Sequence, residues 1–224
     1  MSPLTLVATP IGNLADLSPR ARECLAAADI VYAEDTRHTG RLLQKLGVQA
    51  HLRSCHDHNE AARAAEIVDR LREGRRVVLV SDAGTPGLAD PGHRVVRSAL
   101  DAGFAVSMVP GPSSILVALV LSGFATDRFI FDGWLPRRSG ALRRQLGGYA
   151  EEARTVVLLE STHRLLKSLP VFAMLLGDRR MAICRELTKL HEEVRRGRPD
   201  ELLGYYQERP PRGELVVVLE GVHR

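Results

Sequence analysis

The sequence predicts an α/β protein of two domains, the first built on a mainly parallel sheet. Strand-like and helix-like segments alternate regularly through the first half of the chain. Loops of glycine, proline and small polar residues follow three of the strand-like runs, as at the ligand-binding edge of such a sheet. The strands of the second half are separated by longer, more basic segments, so we expect domains over residues 1–115 and 116–224.

Short apolar runs and capping residues define the elements of the first domain. The predicted strands are residues 4–8, 30–33, 76–80 and 105–109. The predicted helices cover about residues 19–28, 39–46, 60–73, 91–102 and 114–121. Ser18 and Pro19 open the first of these helices, and Asn59 caps the third. Together they predict a repeated βα pattern.

The second domain has four predicted strands and weaker signals for two further elements. The strands are residues 129–131, 155–160, 181–185 and 215–220. Residues 193–196 indicate a short additional strand, and residues 200–207 a helix.

Composition excludes several classes of protein. Apolar residues make up 45% of the 224 residues and charged ones 26%, which is typical of globular proteins and not of disordered or fibrous ones. Three widely spaced cysteines indicate a reducing cytoplasm. The longest uncharged stretch, residues 103–126, is broken by prolines, which leaves an apolar run too short to span a bilayer. The net charge of +4, carried mostly by arginine, is compatible with an RNA partner or with codon bias.

The three glycine- and proline-rich loops are residues 9–14, 81–87 and 110–114. Because loops after parallel strands open at one edge of the sheet, we expect them to meet in one crevice and not to be unrelated tight turns. The chain has no dinucleotide fingerprint of three glycines and no Gly-Lys-Ser/Thr phosphate loop, which makes NAD and ATP poor candidates. A ligand without a phosphate chain fits better, and S-adenosylmethionine meets that description.

Five sequence blocks carry a resemblance to a known family. They are residues 8–14 (ATPIGNL), 33–37 (AEDTR), 80–86 (VSDAGTP), 110–113 (PGPS) and 184–189 (CRELTK). In this order they resemble the signature blocks of the ribosomal RNA small subunit methyltransferase I family, within the tetrapyrrole methylase superfamily.

The resemblance implies a tetrapyrrole-methylase-like fold, with a mixed sheet in the second domain and S-adenosylmethionine in the cleft between the domains. It also implies a homodimer that methylates the 2′-hydroxyl of a cytidine in the decoding region of small-subunit (16S) rRNA. The cofactor residues it implies are Pro10, Ser81, Asp82, Ala83, Gly84, Leu88, Ser113, Ser114, Leu159 and Leu187. Family members commonly continue past residue 221 into a small helical region.

Two other functions remain open at this point. Tetrapyrrole C-methyltransferases share the superfamily, but their first loop usually reads Gly-x-Gly-Pro-Gly-Asp, whereas residues 9–14 here read TPIGNL. The second alternative is a non-catalytic module that binds S-adenosylmethionine or RNA.

Methyl transfer to a hydroxyl needs alignment of the reacting atoms and a general base. The predicted catalytic residues are Asp35, Arg37 and His38, after the second strand, and Glu186 and Lys189, after a strand of the second domain. The alternatives are that Asp35 and Thr36 cap the following helix, and that Glu186 and Lys189 form a surface ion pair.

The predicted RNA contacts lie in two places. His56 and Asn59 are expected to line the substrate entrance, with Asn59 serving mainly as a helix cap. The potential metal ligands at residues 55–58 (CHDH) are too tightly bunched for a metal site. A basic segment near Trp134 supplies the others, namely Arg137, Arg138, Arg143 and Arg144. The alternative for this segment is a solvated helix face with a core tryptophan, and the arginines at 195, 196 and 198 are a weaker candidate.

Overall fold

The computed structural model describes residues 2–222, which form ten strands, eight α-helices and one 3-10 helix. The strands are β1 (Leu4–Val7), β2 (Ile30–Ala33), β3 (Leu52–Ser54), β4 (Val77–Val80), β5 (Val106–Val109), β6 (Phe129–Trp134), β7 (Thr155–Ser161), β8 (Met181–Arg185), β9 (Glu193–Gly197) and β10 (Glu214–Leu219). The helices are α1 (Pro19–Ala27), α2 (Thr36–Leu46), α3 (Glu60–Arg72), α4 (His93–Asp101), α5 (Ser114–Ser122), α6 (Ser139–Gly147), α7 (Thr162–Leu176) and α8 (Pro199–Glu208), with the 3-10 helix at Leu14–Asp16.

The first compact unit, Met1–Ser113, contains a five-stranded sheet in the order β3-β2-β4-β1-β5. Every pair of neighbouring strands in it is parallel. Side chains of β1 and β4 alternate between two buried clusters, one shared with α3 and α4 and the other with α1 and α2. Helices therefore cover both faces of the sheet, which explains why its central strands are continuous apolar runs.

Capping residues set the helix boundaries of this unit. The hydroxyl of Ser18 accepts a hydrogen bond from the amide of Ala21, and Pro19 occupies the first turn of α1. Helix α2 begins at Thr36, three residues earlier than predicted, because the carboxylate of Asp35 caps it. Strand β3 was not predicted, since three half-buried residues give no clear periodicity.

The second compact unit, Ser114–Arg224, contains a mixed sheet in the order β6-β7-β10-β8-β9. Strands β6 and β7 are parallel, and the other neighbours are antiparallel. One face packs its apolar side chains against α6, α7 and α8, and α5 packs against β7, β8 and β10. The unit begins at Ser114, two residues before the predicted boundary, because this serine is the first residue of α5.

A carboxylate from one helix caps another helix in the first unit. Glu60 is only 7% exposed, and its Oε1 accepts hydrogen bonds from the amides of Gly92 (2.8 Å) and Arg94 (3.1 Å) at the start of α4. Glu60→Ala leaves both amides without this acceptor, so we expect it to lower the free energy of unfolding by about 1–3 kcal/mol. Urea unfolding measures this loss. Glu73→Ala is the control, because Glu73 makes only an exposed ion pair with Arg70; equal midpoints for the two variants would contradict the capping role.

Candidate active site at the edge of the first sheet

The loops that follow β1 and β4 are joined directly through their backbones. The amide of Thr9 donates to the carbonyl of Gly84 at 2.9 Å, and the amide of Gly84 donates back to the carbonyl of Thr9 at 2.9 Å. The Thr9 hydroxyl also donates to the carbonyl of Ser81 at 3.2 Å. These two strands are neighbours whose connections lead to opposite sides of the sheet, which is the usual position of a ligand crevice.

The loop after β5 reaches the same place. The Thr85 hydroxyl donates to the carbonyl of Pro112 at 3.3 Å. A Cβ on Gly111 would lie 3.0 Å from the Cβ of Ala8, and Gly84, with a φ of 78°, would bring a Cβ within 3.3 Å of Ile11. Glycine is needed at both positions for this close approach. The predicted convergence of the three loops is confirmed.

Carboxylates surround this edge of the sheet. Glu34 follows β2 directly, Asp82 lies after β4, Asp57 lies beyond β3, and Asp90 precedes α4. The Oδ1 atom of Asp82 accepts a hydrogen bond from the amide of Asp35 at 2.9 Å, which ties the ends of β2 and β4 together. A concentration of negative charge here disfavours phosphates and favours a cationic ligand.

The environment of these carboxylates changes their proton affinity. Burial raises the pKa of Glu34 to about 7, and the charges of Asp90, Asp82 and Asp57 add to that rise. The pKa of Asp90 is raised to about 6, again by burial first and then by Asp82 and Asp57. A carboxyl group that titrates near neutral pH is suited to general-base chemistry.

The residues implied as cofactor contacts fall in both units. Pro10, Ser81, Asp82, Ala83, Gly84, Leu88 and Ser113 belong to the loops of the first unit. Ser81 and Ser113 are buried, and Leu88 is 47% exposed. Ser114, Leu159 and Leu187 belong to the second unit, where Leu159 pairs with Val216 in the sheet.

Asp35 has the geometry of a helix cap. Its Oδ1 accepts a hydrogen bond from the amide of Arg37 at 2.8 Å, and its Oδ2 lies 2.8 Å from the Arg37 guanidinium. These hydrogen bonds with Arg37 hold the pKa of Asp35 well below its usual range. Thr36 is the first helical residue and not the cap, and His38 is exposed in the same turn. The capping alternative therefore fits Asp35 better than a role as base.

Glu186 and Lys189 form the ion pair that the sequence left open. The Oε1 atom of Glu186 accepts hydrogen bonds from the Lys189 ammonium and from the amide of Glu214, both at 3.0 Å. The Lys189 ammonium also lies 2.9 Å from the Glu214 carboxylate. Hydrogen bonding from the Glu214 amide and the Lys189 charge lower the pKa of Glu186. The pair holds the start of β10.

Asn59 does not cap α3 with its side chain, contrary to the prediction. It occupies the N-cap position, but its Oδ1 accepts from the amide of His56 at 2.8 Å, and its Nδ2 lies 3.1 Å from His56 Nε2. These contacts fold residues 56–59 into a tight turn. His56 Nδ1 is buried and has no hydrogen-bond partner among residues 2–222.

The predicted basic segment is exposed from Trp134, at the end of β6, into α6. Arg137, Arg138, Arg143 and Arg144 are all exposed, and none of them pairs with a carboxylate in the described part of the chain. Trp134 is 56% exposed, so the alternative of a core tryptophan is wrong. We call these five residues the α6 basic face.

Residues 2–222 contain no group of three or more His, Cys, Asp or Glu side chains placed to hold a metal ion, and residues 55–58 form no such group. No helix within this range is long and apolar enough to span a bilayer.

The chain is similar to proteins of one known family. A family model for tetrapyrrole (corrin/porphyrin) methylases matches residues 3–203. A relative from Synechocystis sp. named ribosomal RNA small subunit methyltransferase I is 44% identical over 222 residues, covering 99% of this chain and 80% of its own. The chain belongs to the methyltransferase I family of tetrapyrrole methylases. A methyltransferase I from Thermotoga maritima is 42% identical over 99% of both chains.

A solved structure supports the fold of this methyltransferase I family member. The methyltransferase CobJ superposes with a TM-score of 0.73 at 18% identity, over 99% of this chain and 95% of its own. The α/β fold, with a parallel sheet followed by a mixed sheet, is confirmed.

Two carboxylates at this sheet edge, Glu34 and Asp90, were not among the predicted site residues. Glu34 lies within the AEDTR block and directly follows a predicted strand, so its position at the sheet edge could have been found from the sequence. Asp90 lies ten residues beyond the end of β4 in an irregular loop, and nothing in the sequence indicates that it is near Glu34.

Proposed function

We propose that this protein transfers the methyl group of S-adenosylmethionine to the ribose 2′-hydroxyl of a cytidine in the decoding region of 16S rRNA, within the small ribosomal subunit. Relatives at 44% and 42% identity carry the name ribosomal RNA small subunit methyltransferase I. The observation that carries the proposal is the convergence of three close-packed loops on an acidic sheet edge. None of these loops contains a phosphate-binding motif.

The chemistry of this edge suits S-adenosylmethionine, which supplies a methyl group on a cationic sulfonium. Glycine at the points of closest approach lets the backbones of these loops pack together and lets a ligand lie close to them. The carboxylates of Asp82 and Glu34 favour a positive charge beside them. We assign Pro10, residues 81–84, Leu88 and Ser113 to cofactor binding from the first unit, with Ser114, Leu159 and Leu187 from the second.

Glu34 is the residue of this edge best suited to act as general base. Its carboxylate is half-buried and follows β2, beside the loop that contains Asp82. It takes the proton of the 2′-hydroxyl as that oxygen forms its bond to the methyl carbon and the carbon–sulfur bond breaks. Asp35 is a weaker candidate because its capping hydrogen bonds lower its pKa, so its carboxylate has little affinity for a proton.

The α6 basic face is suited to RNA because its arginines keep their charge available for phosphates and its tryptophan is exposed for stacking. The double variant Arg143→Ser/Arg144→Ser is expected to weaken RNA binding and to reduce the slope of log K against log salt by about 0.7–0.9 for each phosphate that is no longer neutralised. Filter binding at several salt concentrations measures both quantities.

The matched control removes two exposed arginines of the first unit that already pair with carboxylates. These are Arg72, 2.9 Å from Asp69, and Arg97, 2.9 Å from Asp101. Arg72→Ser/Arg97→Ser is expected to leave the salt slope unchanged. An equal slope for both double variants would show that the α6 basic face does not contact RNA.

A tetrapyrrole C-methyltransferase is the second candidate, favoured by the match of residues 3–203 to the tetrapyrrole methylase family model. Incubating the protein with labelled S-adenosylmethionine and, separately, unmethylated small subunits, naked rRNA or a precorrin distinguishes the candidates. We expect the most label in the small subunits and less in naked rRNA. Label in the precorrin alone would overturn the proposal, and no label anywhere would favour a binding module.

We also propose that the protein acts in the cytoplasm as a homodimer without a metal ion. Its buried, widely separated cysteines are consistent with a reducing compartment. Sedimentation of the purified chain tests the dimer.

A further inference from the structure

The second unit contains a cavity that the proposed active site does not use. Its volume is about 380 Å³, within the usual range of about 300–1,000 Å³ for small-molecule sites. It lies between the end of β8, the start of β9, the end of α8 and the loop that leads into β10. The side chains that matter most are those of Glu193, Tyr205, Tyr206, Arg209 and Arg212.

The acidic groups at this cavity are already neutralised by neighbours. Glu193 lies 3.2 Å from the Arg185 guanidinium and 3.5 Å from that of Arg195, and it accepts a hydrogen bond from the Tyr205 hydroxyl at 2.7 Å. Glu186, the other acidic residue of the lining, is held by Lys189 and by the amide of Glu214. The negative charge of both carboxylates is therefore largely offset, and it repels an anion in the cavity less strongly.

Two arginines of the lining keep their charge available. Arg212 is exposed and has no carboxylate partner in the described part of the chain. The Arg209 guanidinium lies 5.0 Å from the centre of the Tyr205 ring. The carboxylate partner of Arg209 is the adjacent Glu208, 3.1 Å away, and both side chains are more than half exposed. Exposed pairs of this kind are worth little, so both guanidiniums can take up a phosphate.

The cavity also offers aromatic surface and an unused hydroxyl. The Arg195 guanidinium lies 3.6 Å from the centre of the Tyr205 ring, which fixes that ring in place. Tyr206 is 1% exposed, and its buried hydroxyl has no hydrogen-bond partner among residues 2–222. A buried hydroxyl without a partner is costly, and a polar ligand at this wall would supply the missing partner.

We propose that this cavity binds one unpaired nucleotide of the RNA substrate, with its phosphate on Arg209 and Arg212 and its sugar or base beside Tyr205 and Tyr206. The inference rests on the proposed function and assigns the second unit an RNA contact separate from the α6 basic face. A free nucleotide offers the same chemistry, and the experiment distinguishes the two sources.

The test measures binding of a fluorescent RNA hairpin of decoding-region sequence by anisotropy, with cytidine monophosphate as competitor. Arg212→Ser is expected to weaken hairpin binding about tenfold, whereas Arg75→Ser, which removes an exposed arginine of the first unit, leaves it unchanged. Tyr206→Phe is expected to weaken binding several-fold and to raise the Tm of the unliganded protein by about 2–4 °C, because it removes the unpartnered hydroxyl.

Tyr32→Phe is the matched control for the tyrosine, because the buried Tyr32 hydroxyl donates to Glu66 at 2.8 Å and its loss should lower the Tm. Wild-type affinity for the hairpin in both Arg212→Ser and Tyr206→Phe would overturn the inference. So would binding of cytidine monophosphate that both variants weaken while hairpin binding stays intact, which would assign the cavity to a free nucleotide. Methylation of small subunits by the wild-type protein tests the proposed function separately from either outcome.

Discussion

Glu34→Gln is expected to lower the turnover of methyl transfer by about 10²- to 10⁴-fold at pH 7, the usual range for loss of a general base. The amide keeps the size and position of the side chain at the end of β2 but cannot accept the proton of the 2′-hydroxyl. Turnover is measured at saturating cofactor and small subunits. Glu73→Gln, directly after α3, is the control and should retain full turnover, because Glu73 makes only an exposed ion pair with Arg70.

The stability of this variant separates loss of chemistry from loss of fold. Because the pKa of Glu34 is raised to about 7 in the folded protein, its ionisation opposes folding as pH rises through that value. Glu34→Gln should therefore unfold at a higher urea concentration than wild type above pH 7, and should lose this advantage below the unfolded pKa near 4.5. A variant that is stable and fully active would exclude Glu34 as the base.

The pH dependence of turnover gives the same assignment a second test. A base with a pKa of about 7 makes activity fall as pH drops through that value. Asp90 contributes to the raised pKa through its negative charge, so Asp90→Asn should move the acidic limb of the profile to lower pH. An acidic limb that stays in place would show that another group controls it.

Asp82→Ala is expected to weaken S-adenosylmethionine binding by about 10- to 100-fold, the effect of losing a charged hydrogen-bond acceptor. Asp82 lies at the sheet edge, and its Oδ1 also accepts from the amide of Asp35. Asp82→Asn keeps an oxygen for that amide and removes the charge. Calorimetry on both variants separates the two roles.

Equal losses in Asp82→Ala and Asp82→Asn would assign the effect to the charge beside the cofactor. A loss in the alanine variant alone would make Asp82 a residue that positions the start of α2. Unchanged affinity in both would remove Asp82 from the cofactor site.

Much of the fold could be predicted because its signals are local. The apolar runs of β1, β2 and β4, the Ser18-Pro19 pair and the glycines that end helices each depend on neighbouring residues only. Strand β3 was missed because its three half-buried residues give no clear periodicity. The convergence of the three loops followed from parallel topology alone.

The chemistry of the site depends on contacts between distant segments, which the sequence does not reveal. The same residue types could cap a helix or act as a base, and only the hydrogen bond from Arg37 shows that Asp35 is a cap. Glu34 owes its raised pKa to burial and to carboxylates on three other segments. Glu186 and Lys189 are only three residues apart in the sequence, but their link to Glu214 depends on the register of β10.

The most direct test of the proposed function is nucleoside analysis by mass spectrometry of 16S rRNA from unmethylated small subunits incubated with the protein and S-adenosylmethionine. We predict one new 2′-O-methylcytidine in the decoding region. A methyl group on a base, on another ribose, or no methylated nucleoside at all would contradict the proposed function.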